Sequence, residues 1–399
     1  MYIYLSILSI FLAFWGIYRS FKKKNMIIFV WLIIAYYTIT SLVATLSPGN
    51  LQFGIEIKNT YMLSVLLCVA GFITSDILFN KETKKVLSLD TLNRDGKVWR
   101  IIEVVYWISL GLTFLSLRNM DYVEYNTNNK GGGWAQCFFQ LSACVNFLYV
   151  YKKKYIKLAV SIILVLMVVE AIHVRSFLFF PLMPVIFYFL YSRMANYDRF
   201  ADFARKTTPM VIVLLISAIV VSLMRFGEIS LPETELTDIA FNSLDKWNFG
   251  NQYFVSTAHY FYRILGFFIN MLSHIGISFP NPLDVYPSVP KLNAMLLNNA
   301  SSVDLLENAS HMPGTIFFDL YISWGYFCGL YAIIIYYFFI KLFQFVQKDT
   351  FTLILLSSTL GWHIYMLLRG AVDTCSSGIS YAFWMSLLVL YIRNKMMKH

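Results

Sequence analysis

An all-α polytopic membrane fold follows from three properties of the sequence: its apolar bulk, the length of its apolar runs and the placement of its lysines and arginines. Of 399 residues, 58% are hydrophobic and 14% are charged, against roughly a quarter charged in an ordinary soluble domain. A soluble fold has too little interior to hide that much apolar surface. A hydrocarbon core about 30 Å thick takes roughly 20 apolar residues per helix, and runs of that order recur along the chain. They are apolar on every face and lack the alternation of a membrane β-barrel, so helices are expected.

Reading the runs between polar breaks predicts about eleven spans (ten to twelve), over 2–18, 26–46, 61–79, 101–117, 135–151, 156–172, 177–191, 208–224, 315–340, 351–368 and 380–392. The first is followed, not preceded, by Arg19, Lys22, Lys23 and Lys24 and has no small-residue cleavage site. That order is the reverse of a secretory signal, so it reads as a retained span. With Met1 outside, the segments 19–25, 80–100, 152–157, 192–207, 341–349 and 393–399 face the cytoplasm and hold 23 of the 32 Lys and Arg. Basic residues concentrated in short inner loops set orientation. The expectation is an N-terminus in the periplasm and a C-terminus in the cytoplasm of a bacterial inner membrane. The formal charge of +10 is thereby assigned to topology, and no nucleic-acid partner is expected. The inner segments hold 16 Lys and 7 Arg, the rest of the chain 4 Lys and 5 Arg. Lysine inside looks like topology, whereas arginine outside calls for another reason.

Of the five cysteines, 68, 137, 144 and 328 fall in apolar runs and Cys375 in an expected exterior loop, with no disulfide framework or metal spacing. The chain reads as a single integral membrane domain over 1–399 whose one long connection, 225–312, is a large periplasmic segment of 88 residues. Loops of that length are uncommon unless functional. Inside it, Tyr253 to Ile277 is apolar enough to resemble a further span, but a crossing there would move the basic C-terminus outside. At 100° per residue His259, Arg263, Asn270 and His274 fall within about 60° of one another. That stripe predicts an amphipathic or re-entrant helix. It either seals the protein against headgroups or covers a site, with Arg263 facing an anionic substrate.

Charged groups in or beside spans are costly and mark functional candidates. Spans six and seven turn through Glu170, His173 and Arg175, with Glu170 and His173 on one helix face; a local pair satisfying the turn is the plain alternative. Span eight ends at Arg225, shortly before Glu228, and span ten at Arg369. A single arginine at such a place is usually a headgroup anchor. Three of them, Arg175, Arg225 and Arg369, suit a pyrophosphate, because guanidinium grips phosphate oxygens as a bidentate fork. Span nine is introduced by His311 and Pro313, which suits a helix start, and contains Asp319, Gly325 and Gly329. His311 either caps that helix or moves a proton near neutral pH. There is no Walker motif, GxGxxG or HExxH. Glu56 is the single acid of the first exterior loop, and the Asp121 and Glu124 pair is a poor metal signal, so no metal or other cofactor is expected.

The patches Val174-Arg175-Ser176-Phe177-Leu178, Arg225-Phe226-Gly227 and Ser310-His311-Met312-Pro313-Gly314, the last leading to Tyr321, Gly325 and Gly329, together with the late exterior segment, resemble the O-antigen and oligosaccharide repeat-unit polymerases, the Wzy family. The likeness is one of arrangement and covers most of 170–370. It implies an integral-membrane, GT-C-like glycosyltransferase of lipopolysaccharide or other polysaccharide biosynthesis. Such an enzyme would move a growing glycan from undecaprenyl pyrophosphate to an incoming lipid-linked repeat unit. Its implied partners are the undecaprenyl-pyrophosphate-linked donor and acceptor, membrane lipids and a chain-length regulator protein. On that reading Arg175, Arg225, Arg369 and Arg263 hold pyrophosphate and His311 or Glu228 transfers the proton, with Glu170, His173, His259, His274 and Asp319 in support. The rival readings are a flippase for the same lipid-linked sugar, against which stands the absence of paired broken helices in the sequence pattern, and a membrane acyltransferase of surface glycan.

Overall fold

The computed structural model describes residues 1–47, 50, 52–80, 95–118, 133–172, 176–209, 234–246, 269, 272–273, 275–277, 293, 314–369 and 377–396. Every regular element among them is helical. In chain order these are α1 (Tyr2–Lys22), α2 (Ile28–Leu46), α3 (Ile55–Phe79), α4 (Gly96–Leu117), α5 (Gly133–Ser142), α6 (Val145–Tyr151), α7 (Tyr155–Ile172) and α8 (Ser176–Asn196). Helix α9 follows, described over 200–209. Then come α10 (Thr234–Lys246), α11 (Ile316–Trp324), a single 3-10 turn (Gly325–Phe327), α12 (Cys328–Val346), α13 (Thr350–Leu368) and α14 (Ser377–Met396).

Seven stretches among the described residues are long and apolar enough to cross a membrane: α1, α2, α3, α4, α8, α13 and the run from Ile316 to Val346. This is a multi-pass membrane protein. Helices also occupy the predicted intervals at 135–151, 156–172 and 380–392, while 208–224 falls almost wholly outside the described residues. Outward-facing stripes such as Ile101, Val104, Ile108, Leu112 and Leu115 on α4 are exposed. Apolar stripes of this length belong against lipid.

The links between α1 and α2, α6 and α7, and α12 and α13 are a few residues long and rich in lysine, which gathers these helix ends at one basic end of the bundle. Two of the turns share one device. Lys24 and Lys153 both have positive φ (48° and 55°), and the next N–H reaches back five residues, Asn25 to Ser20 O at 3.0 Å and Lys154 to Tyr149 O at 2.7 Å. This is a Schellman closure with lysine in the position that glycine usually fills.

Packing sets the rest. A Cβ on Gly71 of α3 would stand 2.2 Å from the Gly329 carbonyl oxygen of α12, and one on Gly329 would stand 2.9 Å from the Leu67 oxygen. Small residues let these two helix backbones touch. α1 and α2 join this pair, with Trp31 filling the space over Gly16. Helices α5, α6, α8 and α14 pack on α13, in which every residue from Thr350 to Trp362 is buried, and α4 and α7 pack on α5, α6 and α8. The seam between the groups is aromatic: Phe187 of α8 stands 4.9 Å from Phe29 and 6.5 Å from Phe343, and Tyr365 of α13 stacks on Tyr37 at 6.5 Å.

Four expectations need correction. The fifth predicted span is interrupted at Ala143 and Cys144, where the Asn146 amide takes the Ala143 carbonyl (2.9 Å) and in turn accepts from Ser161 (2.9 Å). The ninth is interrupted at Gly325, whose φ of 55° and ψ of −136° define a conformation that side chains avoid. Its helix begins at Ile316, not at Pro313, because the Thr315 hydroxyl accepts from Phe318 N (3.4 Å) and caps it. The segments read as loop at 192–207 and within 225–312 hold α9 and α10.

Candidate functional site

At the end of the bundle opposite the lysine-rich turns, the helices meet around one tyrosine. Tyr61 lies in the first third of α3, fully buried, and its hydroxyl contacts Ser41 of α2 (3.0 Å), Thr315 at the start of α11 (3.1 Å) and Thr237 of α10 (3.5 Å). One phenol therefore joins four elements, one of them within 225–312 and one directly after it. Phe241 packs edge-on against Tyr61 at 5.2 Å and lies 5.6 Å from Phe53, which holds α10 over this end.

A second contact locks the same helix. The Asn50 amide donates to the Ala44 carbonyl (2.9 Å) and to the Asp238 carboxylate. Burial pushes the Asp238 carboxyl above its ordinary value, and the Asn50 amide pulls it part of the way back. Lys58, one turn before Tyr61, is 96% buried, its exposure being 4%, and its ammonium lies 5.7 Å from the Tyr2 ring centre.

The helix that Thr315 caps is short and enclosed. Ile316 to Ser323 are all buried, and Asp319 is among them at 1% exposure. Its backbone N–H donates to Thr315 O (3.0 Å), and Ser323 Oγ donates to Asp319 O (2.8 Å). The Gly325 break then ends α11 within the span. Tyr326 and Tyr321 meet edge to face at 5.7 Å and Trp324 stacks on Tyr331 at 4.9 Å, so aromatic rings fill the break. An ionisable side chain enclosed within a span is costly.

Arg369 caps the same end of α13. Its N–H donates to Tyr365 O (3.0 Å) and its side chain is half-buried, with Nε enclosed. Glu170 lies near the same end on α7 but is exposed. Of the residues proposed from sequence, Asp319 and Arg369 therefore belong to interior elements and Glu170 does not. His311, Glu228, Arg175, Arg225, Arg263, His173, His259 and His274 lie outside the described residues.

Sequence reasoning missed Tyr61, Ser41, Thr237, Thr315, Asn50 and Asp238. Neutral hydroxyls inside apolar runs leave no mark on a hydropathy profile. The signal for α10 was present, as Ala240, Phe241 and Leu244 fall on one helical face. Compared with known protein families, curated proteins and solved structures, the chain finds no match.

Proposed function

We propose that the protein polymerises undecaprenyl-pyrophosphate-linked oligosaccharide repeat units at the periplasmic face of the bacterial inner membrane, as a metal-independent glycosyltransferase with about eleven spans. The observation that carries this reading is α11. It is a half-helix buried from Ile316 to Ser323 and bearing Asp319, it follows closely on Ser310 to Gly314, and it lies at the end opposite the basic turns. Arg369 caps α13 at that end, in keeping with a role on a phosphate.

In the proposed reaction the bond between sugar C1 and pyrophosphate oxygen breaks as an acceptor hydroxyl oxygen bonds to C1. The acceptor's proton passes to His311 or Glu228, and the pyrophosphate leaves on its lipid. Pyrophosphate already activates C1, so the protein supplies alignment and positive charge where the leaving group develops. Arg175, Arg225 and Arg369, with Arg263 as a fourth, hold that charge. Asp319 orients the start of α11 and the Tyr61 hydroxyls hold α10 over the site.

A flippase for the same lipid-linked sugar is the second reading. Two spans are interrupted, at Ala143 and at Gly325, and interrupted helices line the sites of many carriers. Deletion of the gene followed by complementation separates the two. Surface glycan with a core carrying one repeat unit supports polymerisation, and complete loss of repeat units supports transport. Complementation with the Arg175→Ala and Arg369→Ala double variant should give membrane-inserted protein without long glycan; normal long glycan from that variant would rule out the assigned roles.

A further inference from the structure

At the basic end, far from the site above, a cavity of about 210 Å³ opens between the last turns of α8 and the described part of α9, lined by Phe189, Arg193, Lys206, Thr207 and Pro209. We propose that it binds the phosphate of an anionic phospholipid.

Three observations converge on it. The first concerns charge. Among the described residues, four cations at this end are held in ion pairs: Arg19 by Asp76, Arg393 by Asp95 and Asp349, Lys157 by Glu103, and Lys24 by Asp198. Arg193 and Lys206 form no ion pair with any described carboxylate, although Asp202 stands one helical turn before Lys206. Two cations on different helices thus line one cavity.

The second is a buried hydroxyl. Thr207 is 5% exposed, and its Oγ1 has no hydrogen-bond partner among the described residues. Its exposed neighbour Thr208 returns its own hydroxyl to Ala204 O at 2.8 Å, so the same helix offers the ordinary solution and Thr207 does not take it. A buried hydroxyl left without a partner is unfavourable; an acceptor oxygen in the cavity removes the deficit. Guanidinium, ammonium and hydroxyl are the donors a phosphodiester takes.

The third is position. α9 is held against the end of α1 by Phe200 on Tyr18 (5.4 Å) and Phe203 on Phe21 (4.8 Å). Phe189 belongs to a helix apolar enough to span, so the cavity runs from cationic to apolar as a headgroup does into its acyl chains. Basic pockets between helix ends are where anionic headgroups settle.

Native mass spectrometry of the full-length protein, reconstituted in phosphatidylcholine nanodiscs doped with phosphatidylglycerol and then released into detergent, reads the bound lipid. Wild type should retain phosphatidylglycerol over phosphatidylcholine. Arg193→Gln should weaken retention about fivefold and the double variant with Lys206→Gln roughly thirtyfold, with Thr207→Val intermediate. Unchanged melting of all three variants in pure phosphatidylcholine verifies their folding. A parallel arm with inorganic phosphate at constant ionic strength identifies the source: stabilisation by phosphate that the double variant loses upholds a phosphate site fed from solution. Retention of phosphatidylglycerol by the double variant at the wild-type level, or no preference in wild type with no effect of phosphate, overturns the proposal.

Discussion

The two ends of the helix bundle are held by different chemistry. At the basic end, charge is matched by charge. Asp76, fully buried, accepts from Arg19 Nε (2.6 Å), Asn80 Nδ2 (2.7 Å) and Tyr336 Oη (3.3 Å), and Asn80 is held in turn by Asn25 (2.9 Å) and Lys23. Arg393 closes the chain's last helix onto Asp95 with two bonds (3.1 and 2.8 Å), reaches Asp349 (3.3 Å) and lies 4.2 Å over the Phe351 ring. At the other end the described cross-links among α2, α3, α10 and α11 are hydroxyls around Tyr61, the Thr45 hydroxyl on Met62 Sδ and the amide of Asn50 on Asp238. Ion pairs with buried members fix geometry at a high cost of disruption. Hydroxyl contacts in a membrane protein contribute little each, about 0.6 kcal/mol on average. One end is thus clasped and the other is only latched, and the latched end is where the substrate site is proposed.

The largest effect should come from the clasped end. Arg19→Met leaves the Asp76 carboxylate enclosed without its cation and should destabilise the protein by about 3–5 kcal/mol, read as a fall in melting temperature in detergent. Adding Asp76→Leu should recover most of the loss. If the single change is neutral, the ion pair is ornamental and the contrast fails. Between the ends, Gly71→Ala drives a methyl into the Gly329 carbonyl and should cost about 1–3 kcal/mol. At the latched end, Tyr61→Phe should cost only about 0.6 kcal/mol, yet it should raise hydrogen exchange in 234–246 and 314–324 well above exchange in α3. Uniform exchange across all three would remove the latch.

The smallest effect is one of pH. The folded Asp238 carboxyl lies above its ordinary value, so the fold favours the protonated form. Its contribution is greatest below the unfolded value and is lost as pH rises through the window between the unfolded and folded values. Docking of α10 should therefore tighten on mild acidification, by less than the Tyr61→Phe effect, and Asp238→Asn should abolish the dependence. Exchange of 234–246 in wild type and variant, normalised to intrinsic rates at each pH, checks the sign.

Hydropathy located the helices well because each span must be apolar along its whole length: Leu-, Ile- and Phe-rich runs such as 351–368 coincide with α13 to within a residue. It missed what a window averages away. The break at Gly325 rests on one residue's backbone freedom, and the one at Ala143 on the Asn146 amide. Helix α10 is short and its charges hide a narrow apolar face. The clasps were illegible for another reason, since Asp95 and Arg393 are 298 residues apart and no local pattern pairs them. Lysines read from sequence as orientation signals also close turns and grip α3 and α8, as Lys23 and Lys24 do. At the candidate site, Asp319 and Arg369 were legible because charge beside an apolar run stands out, while the hydroxyls of Ser41, Tyr61, Thr237 and Thr315 did not.

The proposed polymerase activity is tested most directly with purified protein in detergent, where transport has no meaning, supplied with undecaprenyl-pyrophosphate-linked repeat units and followed by product length on a gel. Wild type should build a ladder of lengthened lipid-linked glycans and Arg369→Ala should stop at single units while melting as wild type does. Folded wild type that leaves the repeat units at their original length, or an Arg369→Ala ladder equal to that of wild type, would contradict the account.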